Sequence, residues 1–257
     1  MFGDHTIQVG DRKQWKAGPI DILVCRQRGE LRIGRRQMRD ALSQDITEQT
    51  IIEGDGAEPE FSTTRFSTVE QVVNTISISP RPAPMPLVVS LREPVVLRPN
   101  SITSVFVSPP IWVTFSTKQF AKPFHEVPAL DLKQTWFGPN HREGELCLSC
   151  TNRGTIHADF VTHHALRALT RLEVHQPSGT PFHLEKLKLP MPALNLYRDD
   201  KDNLHTDGLR MTIENDRVQL SITKELRISS SNSVQLVSKS RSRGTTGLER
   251  ALSAMLG

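Results

Sequence analysis

Nowhere does this chain hold the run of about eighteen apolar residues that a membrane-spanning helix needs, so no membrane span is expected. The opening residues, MFGDHTIQVGDRKQWK, turn polar at once, and a secretory leader with its apolar stretch is not expected either. Cysteine is scarce, with three residues in 257, an odd number that suits reduced thiols better than a disulfide framework. These absences make the cytoplasm the expected compartment. Also missing are the glycine-spaced phosphate loop, the dinucleotide-binding turn, the nucleophile elbow and the H-E-x-x-H zinc helix. The commonest nucleotide-binding, hydrolase and metalloprotease classes therefore lose their signature. No catalytic residue and no cofactor is assigned from the sequence.

Hydrophobic residues form 37% of the chain and charged residues 23%, the balance of an ordinary globular protein long enough to bury a core. The net charge of +4 is too small to hold a nucleic-acid backbone by itself, but its distribution is uneven. Residues 11–40 carry nine Lys or Arg against four acids, whereas residues 41–60 hold six acids and no base.

Along the chain, alternation and short β-branched runs outnumber helical spacing. Ile20, Ile22 and Val24 line one side of a strand, Leu23 and Cys25 the other, and Arg28-Gly29 turns the chain toward Leu31 and Ile33. Leu87-Val88-Val89, Val95-Val96-Leu97, Val105-Phe106-Val107 and Ile111-Trp112-Val113 read as short strands bounded by turn residues. Hairpins are expected around Gly138-Pro139-Asn140 and between Met211-Thr212-Ile213 and Val218 to Ile222. Residues 157–170 read as strand, turn, strand. Ser67 and Glu70 form a capping box ahead of Val69, Val72, Val73 and Ile76, which predicts a short helix over 68–76. The expectation is a mainly β protein, an antiparallel β-sandwich of immunoglobulin-like or jelly-roll-like kind with few short helices. It divides into an N-terminal β segment with a short helix (1–79), separate or sharing the main core; a Pro-rich linker (80–86); a β-sandwich domain (87–238); and a basic linker with a C-terminal amphipathic helix (239–257). In that last helix Thr246 and Glu249 make a second capping box, and Leu248, Ala251, Leu252, Met255 and Leu256 form one apolar stripe.

Four groups of residues could carry chemistry. Cys147 and Cys150 have the C-x-x-C spacing of zinc and redox sites, with His163 and His164 nearby in sequence. On a strand, however, two sulfurs three residues apart point to opposite faces, and adjacent histidines diverge; buried cysteines and loop or core histidines are the plainer reading. Asp199-Asp200-Lys201-Asp202-Asn203 lacks the glycine and closing glutamate of an EF-hand and reads as a charged turn. The arginines between Arg26 and Arg39 could track phosphates, yet no aromatic lies between Trp15 and Phe61 for bases to stack on, so a solvated face answered by the following acidic block is expected. The C-terminal helix is the remaining feature. A helix of about ten residues does not hold alone in water, so its stripe implies a receiving groove, on its own domain or on a partner.

Residues 86–115, PLVVSLREPVVLRPNSITSVFVSPPIWVTF, and 135–150, TWFGPNHREGELCLSC, resemble an archaeal and bacterial family of β-rich domains of unknown function. The resemblance implies a β-sandwich and carries no activity or site residue with it.

The functional expectation is a non-enzymatic accessory or assembly module making protein–protein contacts, with a partner or a second copy, through Leu248, Leu252, Met255 and Leu256. Two alternatives stand beside it. One is a metal-binding protein or metalloenzyme using Cys147, Cys150 and a nearby histidine. The other is nucleic-acid binding through residues 26–39, which is not favoured.

Overall fold

The computed structural model describes residues 1–38, 46–51, 61–67, 74–118, 122–138, 140, 142–214, 217–224 and 234–242. The C-terminal stripe from Leu248 to Leu256, most of the acidic block, Arg39 and residues 68–73 of the expected helix lie outside them. Within the described residues the strands run β1 (Gly3–Thr6), β2 (Arg12–Ala17), β3 (Ile20–Gln27), β4 (Glu30–Gln37), β5 (Ile46–Ile51), β6 (Ser62–Ser67), β7 (Thr75–Arg81), β8 (Leu87–Leu97), β9 (Ser101–Val107) and β10 (Trp112–Ser116). They continue as β11 (His125–Pro128), β12 (Lys133–Phe137), β13 (Glu145–Asn152), β14 (Ala168–Gln176), β15 (Phe182–Leu189), β16 (Leu196–Arg198), β17 (Leu204–Thr206), β18 (Gly208–Glu214), β19 (Arg217–Thr223) and β20 (Gln235–Ser238). Ala158–Phe160 and Met191–Ala193 form single 3-10 turns, and no described helix is long and apolar enough to cross a membrane. The chain is mainly β, as its alternation predicts.

Internal contacts divide it into two compact units. The first takes residues 1–81, 111–131 and 164–166; the second takes 82–110, 132–163 and 167–257. The passage at 81/82 falls in the Pro-rich segment, but the chain then returns to the first unit, so no single cut in the sequence separates the two.

In the first unit a four-stranded sheet, β1-β7-β10-β11, accompanies a five-stranded one, β5-β2-β3-β4-β6. Alternation puts Trp15, Ile22, Val24, Leu31 and Ile33 on one face of the larger sheet, all buried. The sheets meet where His5 on β1 packs on Trp15, ring centres 4.8 Å apart, and where Phe66 on β6 sits edge-on to Phe124 at 5.1 Å. Burying this apolar face removes it from water, the dominant favourable contribution to such a fold.

The second unit pairs a four-stranded sheet, β12-β13-β8-β15, with a seven-stranded one running β19-β18-β14-β17-β16-β20, β9 joining at β14. Leu187 and Leu189 of the first sheet and Leu172, Met211 and Leu220 of the second line a common crevice. Three pairings are parallel, β8 with β13 and β14 with both β17 and β18; the other described pairings are antiparallel.

Several local expectations change. Ile76 lies in β7, paired with His5, so the expected helix does not reach it: β-branched residues pack better on a pleated sheet than on a helix. Leu87 to Val89 and Val95 to Leu97 belong to one strand, not two. Pro94 is accommodated because β8 bulges there, Val95 pairing with Leu184 and Ser90 with Lys186. Residues 157–167 form a 3-10 turn and irregular chain, and extended structure begins only at Ala168. The strand pairs β3–β4, β12–β13 and β18–β19 expected as hairpins are present and antiparallel, with Val24 opposite Ile33, Trp136 opposite Leu146 and Met211 opposite Leu220.

Candidate functional site

A meeting of chemically capable side chains in the second unit lies on one face of the short hairpin β16–β17. Sequence alternation creates it. Asn195, Tyr197 and Asp199 share one side of the first arm, His205 and Asp207 the matching side of the second, and Tyr197 stands directly opposite His205. The intervening apolar residues Leu194, Leu196 and Leu204 are buried on the other side.

Asp207 is almost wholly buried and accepts three hydrogen bonds, from Asn195 N at 2.7 Å, Asn195 Nδ2 at 2.9 Å and the Tyr197 hydroxyl at 2.9 Å. That number of donors is what a carboxylate needs to remain inside a fold. Asn195 in turn accepts from Ser240 N at 3.0 Å, fastening the chain beyond β20 to the same face.

Asp199 closes the hairpin. One oxygen, Oδ1, accepts from Lys201 N at 2.9 Å and Asn203 N at 2.8 Å; the other, Oδ2, accepts from Asn203 Nδ2 at 3.1 Å and His205 Nε2 at 3.0 Å. Burial works to raise its pKa, but the hydrogen bonds from His205 and Asn203 outweigh it, and the carboxyl sits below its ordinary value. Asp202 supplies the left-handed residue of the turn, φ 63°. The acidic run is therefore a turn built on its own carboxylate.

His205 Nε2 faces the Asp199 carboxylate, which accepts, so Nε2 is the donor of this contact. The side chain is 3% exposed, and Nδ1 has no hydrogen-bond partner. His163, from the irregular segment before β14, packs on this ring with centres 5.5 Å apart and planes at 69°.

Of the residues singled out in the sequence, His163 and the 199–203 run belong to this cluster and the others lie elsewhere. Cys147 and Cys150 are free thiols on β13 with side chains on opposite faces of the strand. Burial pushes Cys147 up to about 11, helped by Glu145 and opposed by Lys188. It pushes Cys150 to about 11 as well, against the lowering effect of Arg167. His164 is half-buried in the irregular segment. Among the described residues, no group of three or more His, Cys, Asp and Glu is gathered closely enough to enclose a metal ion.

The arginine run is divided by the β3–β4 hairpin. Arg26 and Arg35 fall on the side of Val24 and Ile33, Arg32 and Arg36 on the side of Cys25 and Asp21. Each has a partner in its own unit. Arg26 donates to Ile7 O at 2.9 Å and Asn74 Oδ1 at 2.7 Å, Arg35 to Pro128 O and Asp131, both at 2.7 Å. Arg32 donates to Glu30 and Arg36 to the buried Asp21, both at 2.5 Å. Among the described residues, Arg26, Arg32, Arg35 and Arg36 are thus split between the two faces of the sheet.

The β16–β17 cluster was not recognised in the sequence as a unit. A signal exists there: polar residues at 195, 197 and 199 and again at 205 and 207, the period of two that a hairpin folds into one face.

Fold and site together define an all-β protein of two sheet-on-sheet units whose convergent polar groups are mostly bound to one another. The family model described as "Protein of unknown function (DUF432)" matches residues 1–255, and the chain belongs to that family, a β-rich one of unknown function as the segments 86–115 and 135–150 suggested. No curated protein and no solved structure matches it.

Proposed function

We propose that the chain is a non-enzymatic accessory or assembly module of the cytoplasm that works by protein–protein contact, with the apolar stripe Leu248, Leu252, Met255 and Leu256 as one contact. The observation that carries this reading is the apolar surface on the second unit. Trp136 and Leu146, 47% and 45% exposed, stand opposite each other at the outer strand pair of the four-stranded sheet, and Phe160 is more exposed still. Paired large apolar side chains left in water mark interaction surfaces. The ionisable groups support a binding role over catalysis. Asp207 and Asp199 are occupied by structural hydrogen bonds, and thiols titrating near 11 are not nucleophiles at neutral pH.

Affinity capture from the native cell with the full chain, compared with a Leu248→Asp/Leu252→Asp variant of unchanged far-ultraviolet circular dichroism, tests the reading. Partners, or copies of the chain, held by the wild type and lost by the variant are expected. Identical captured proteins from both would remove the stripe from the account.

A further inference from the structure

We propose that, while no partner is bound, residues 243–257 fold back on their own chain and seat the apolar stripe Leu248, Leu252, Met255 and Leu256 on Trp136 and Leu146. The inference rests on the assembly reading for the role of the stripe, and adds what covers stripe and surface before a partner arrives.

The receiving surface is the uncovered continuation of a core. Leu148, Leu87 and Leu189 stand side by side across β13, β8 and β15, all buried. Leu146 lies two residues before Leu148 on the same face of β13, with Trp136 opposite it on β12. Yet Leu146 and Trp136 are 45% and 47% exposed, so the apolar face runs past its cover onto the outer strand pair. Trp136 is fixed there. Its indole nitrogen donates to Asn140 O at 2.8 Å, and the ring lies so close to Gly144 that a Cβ at that position would come within 2.7 Å of it. A ring already held in place loses little freedom when something covers it.

The tail leaves the fold beside this surface. Arg241 N and Ser242 N both donate to Pro192 O, at 2.7 and 3.0 Å, and Arg241 Nε donates to Pro82 O at 2.7 Å. Further along the segment that starts at Pro82, Pro86 O accepts from Leu148 N at 2.9 Å. Pro192 follows the end of β15, which runs antiparallel to β8 and therefore in the direction that leads from Leu148 back to Leu146 on β13. Strand spacings of about 4.8 Å and a rise of about 3.3 Å per residue put Ser242 at most about 27 Å from Leu146. Four extended residues to Thr246 and a helix from there to Leu256 reach about 29 Å, which spans the gap. A stripe and a surface joined by so short a tether meet at an effective concentration of about millimolar, above that of a second copy in dilute solution. Docking also supplies the packing without which a helix of about ten residues does not hold. A partner that takes the stripe then uncovers Trp136, so the two contact surfaces are released together.

Acrylamide quenching of tryptophan fluorescence in the dilute full chain tests this. Trp15 and Trp112 are buried, so Trp136 is the tryptophan that the quencher reaches once it is uncovered. Ready quenching of none of the three tryptophans is expected in the wild type and of one in Leu248→Asp/Leu252→Asp, a contribution that a further Trp136→Phe change removes. A Leu146→Cys/Leu252→Cys variant treated with a short bismaleimide is expected to cross-link within one chain, to an extent independent of dilution and absent from either single variant. Equal quenching of Trp136 in wild type and aspartate variant would overturn the inference, and so would a cross-link that joins two chains and fades on dilution. The second of these results upholds contact between copies through the stripe while sinking the folded-back tail. The first leaves capture of a partner to be judged on its own.

Discussion

Asp207 shows how a single buried charge organises its neighbourhood. Its three donors come from two residues of the adjoining arm, so removing the carboxylate takes a buried acceptor from the Tyr197 hydroxyl and from the Asn195 amide. Asp207→Ala is expected to destabilise the protein by about 1–3 kcal/mol, and Tyr197→Phe, which removes one neutral partner, by about 1 kcal/mol, measured as urea midpoints at constant slope. The thiols behave in the opposite sense to a reactive pair. Burial raises Cys25, Cys147 and Cys150 above the ordinary value of 9.0, so all three are protonated in the native chain at pH 8. Alkylation at that pH is expected to be slow when native and rapid for all three once denatured. The sign for stability follows: a raised thiol contributes fully below the ordinary thiol range, and the contribution of Cys147 and Cys150 is lost as pH climbs from about 9 to about 11. Rapid native labelling of either would contradict their placement.

Elements are held together by cross-strand contacts that composition could not reveal. Glu30 at the head of β4 receives Arg65 of β6 at 2.6 and 2.7 Å and Arg32 at 2.5 Å, and these two guanidiniums, Arg65 first, hold its carboxyl at about 2. A depressed carboxylate stabilises the fold above its ordinary value of 4.5, and that contribution is lost as pH falls toward about 2. Thermal unfolding of Glu30→Gln is therefore expected to depend less on pH between about 4.5 and 2 than that of the wild type. An unchanged acid limb would show that the clamp does not hold. Strands and hairpins were legible because period-two alternation is local: Ile20, Ile22 and Val24 announce a face wherever the sheet lies. The bulge at Pro94, the parallel pairing of β8 with β13 and the end of extended structure before Ala168 were not, since each depends on a neighbour distant in sequence. The same limit hid the candidate site. His163 and His205 are brought together by the path of the irregular segment before β14, and no spacing rule encodes that.

At the scale of the whole molecule, each unit closes its own core between two sheets, and the chain passes from one to the other and back. The buried polar face belongs to the second unit, as do Trp136, Leu146 and Phe160. The proposed function adds a partner contact through the C-terminal stripe Leu248, Leu252, Met255 and Leu256. Contact through that stripe is the central claim, and the mass of the native particle tests it most directly. Sedimentation equilibrium of the full chain, taken over a range of concentrations with any captured partner restored, should give a mass above that of one chain for the wild type and the mass of one chain for Leu248→Asp/Leu252→Asp. A single-chain mass for both proteins, or one and the same larger particle for both, would contradict it.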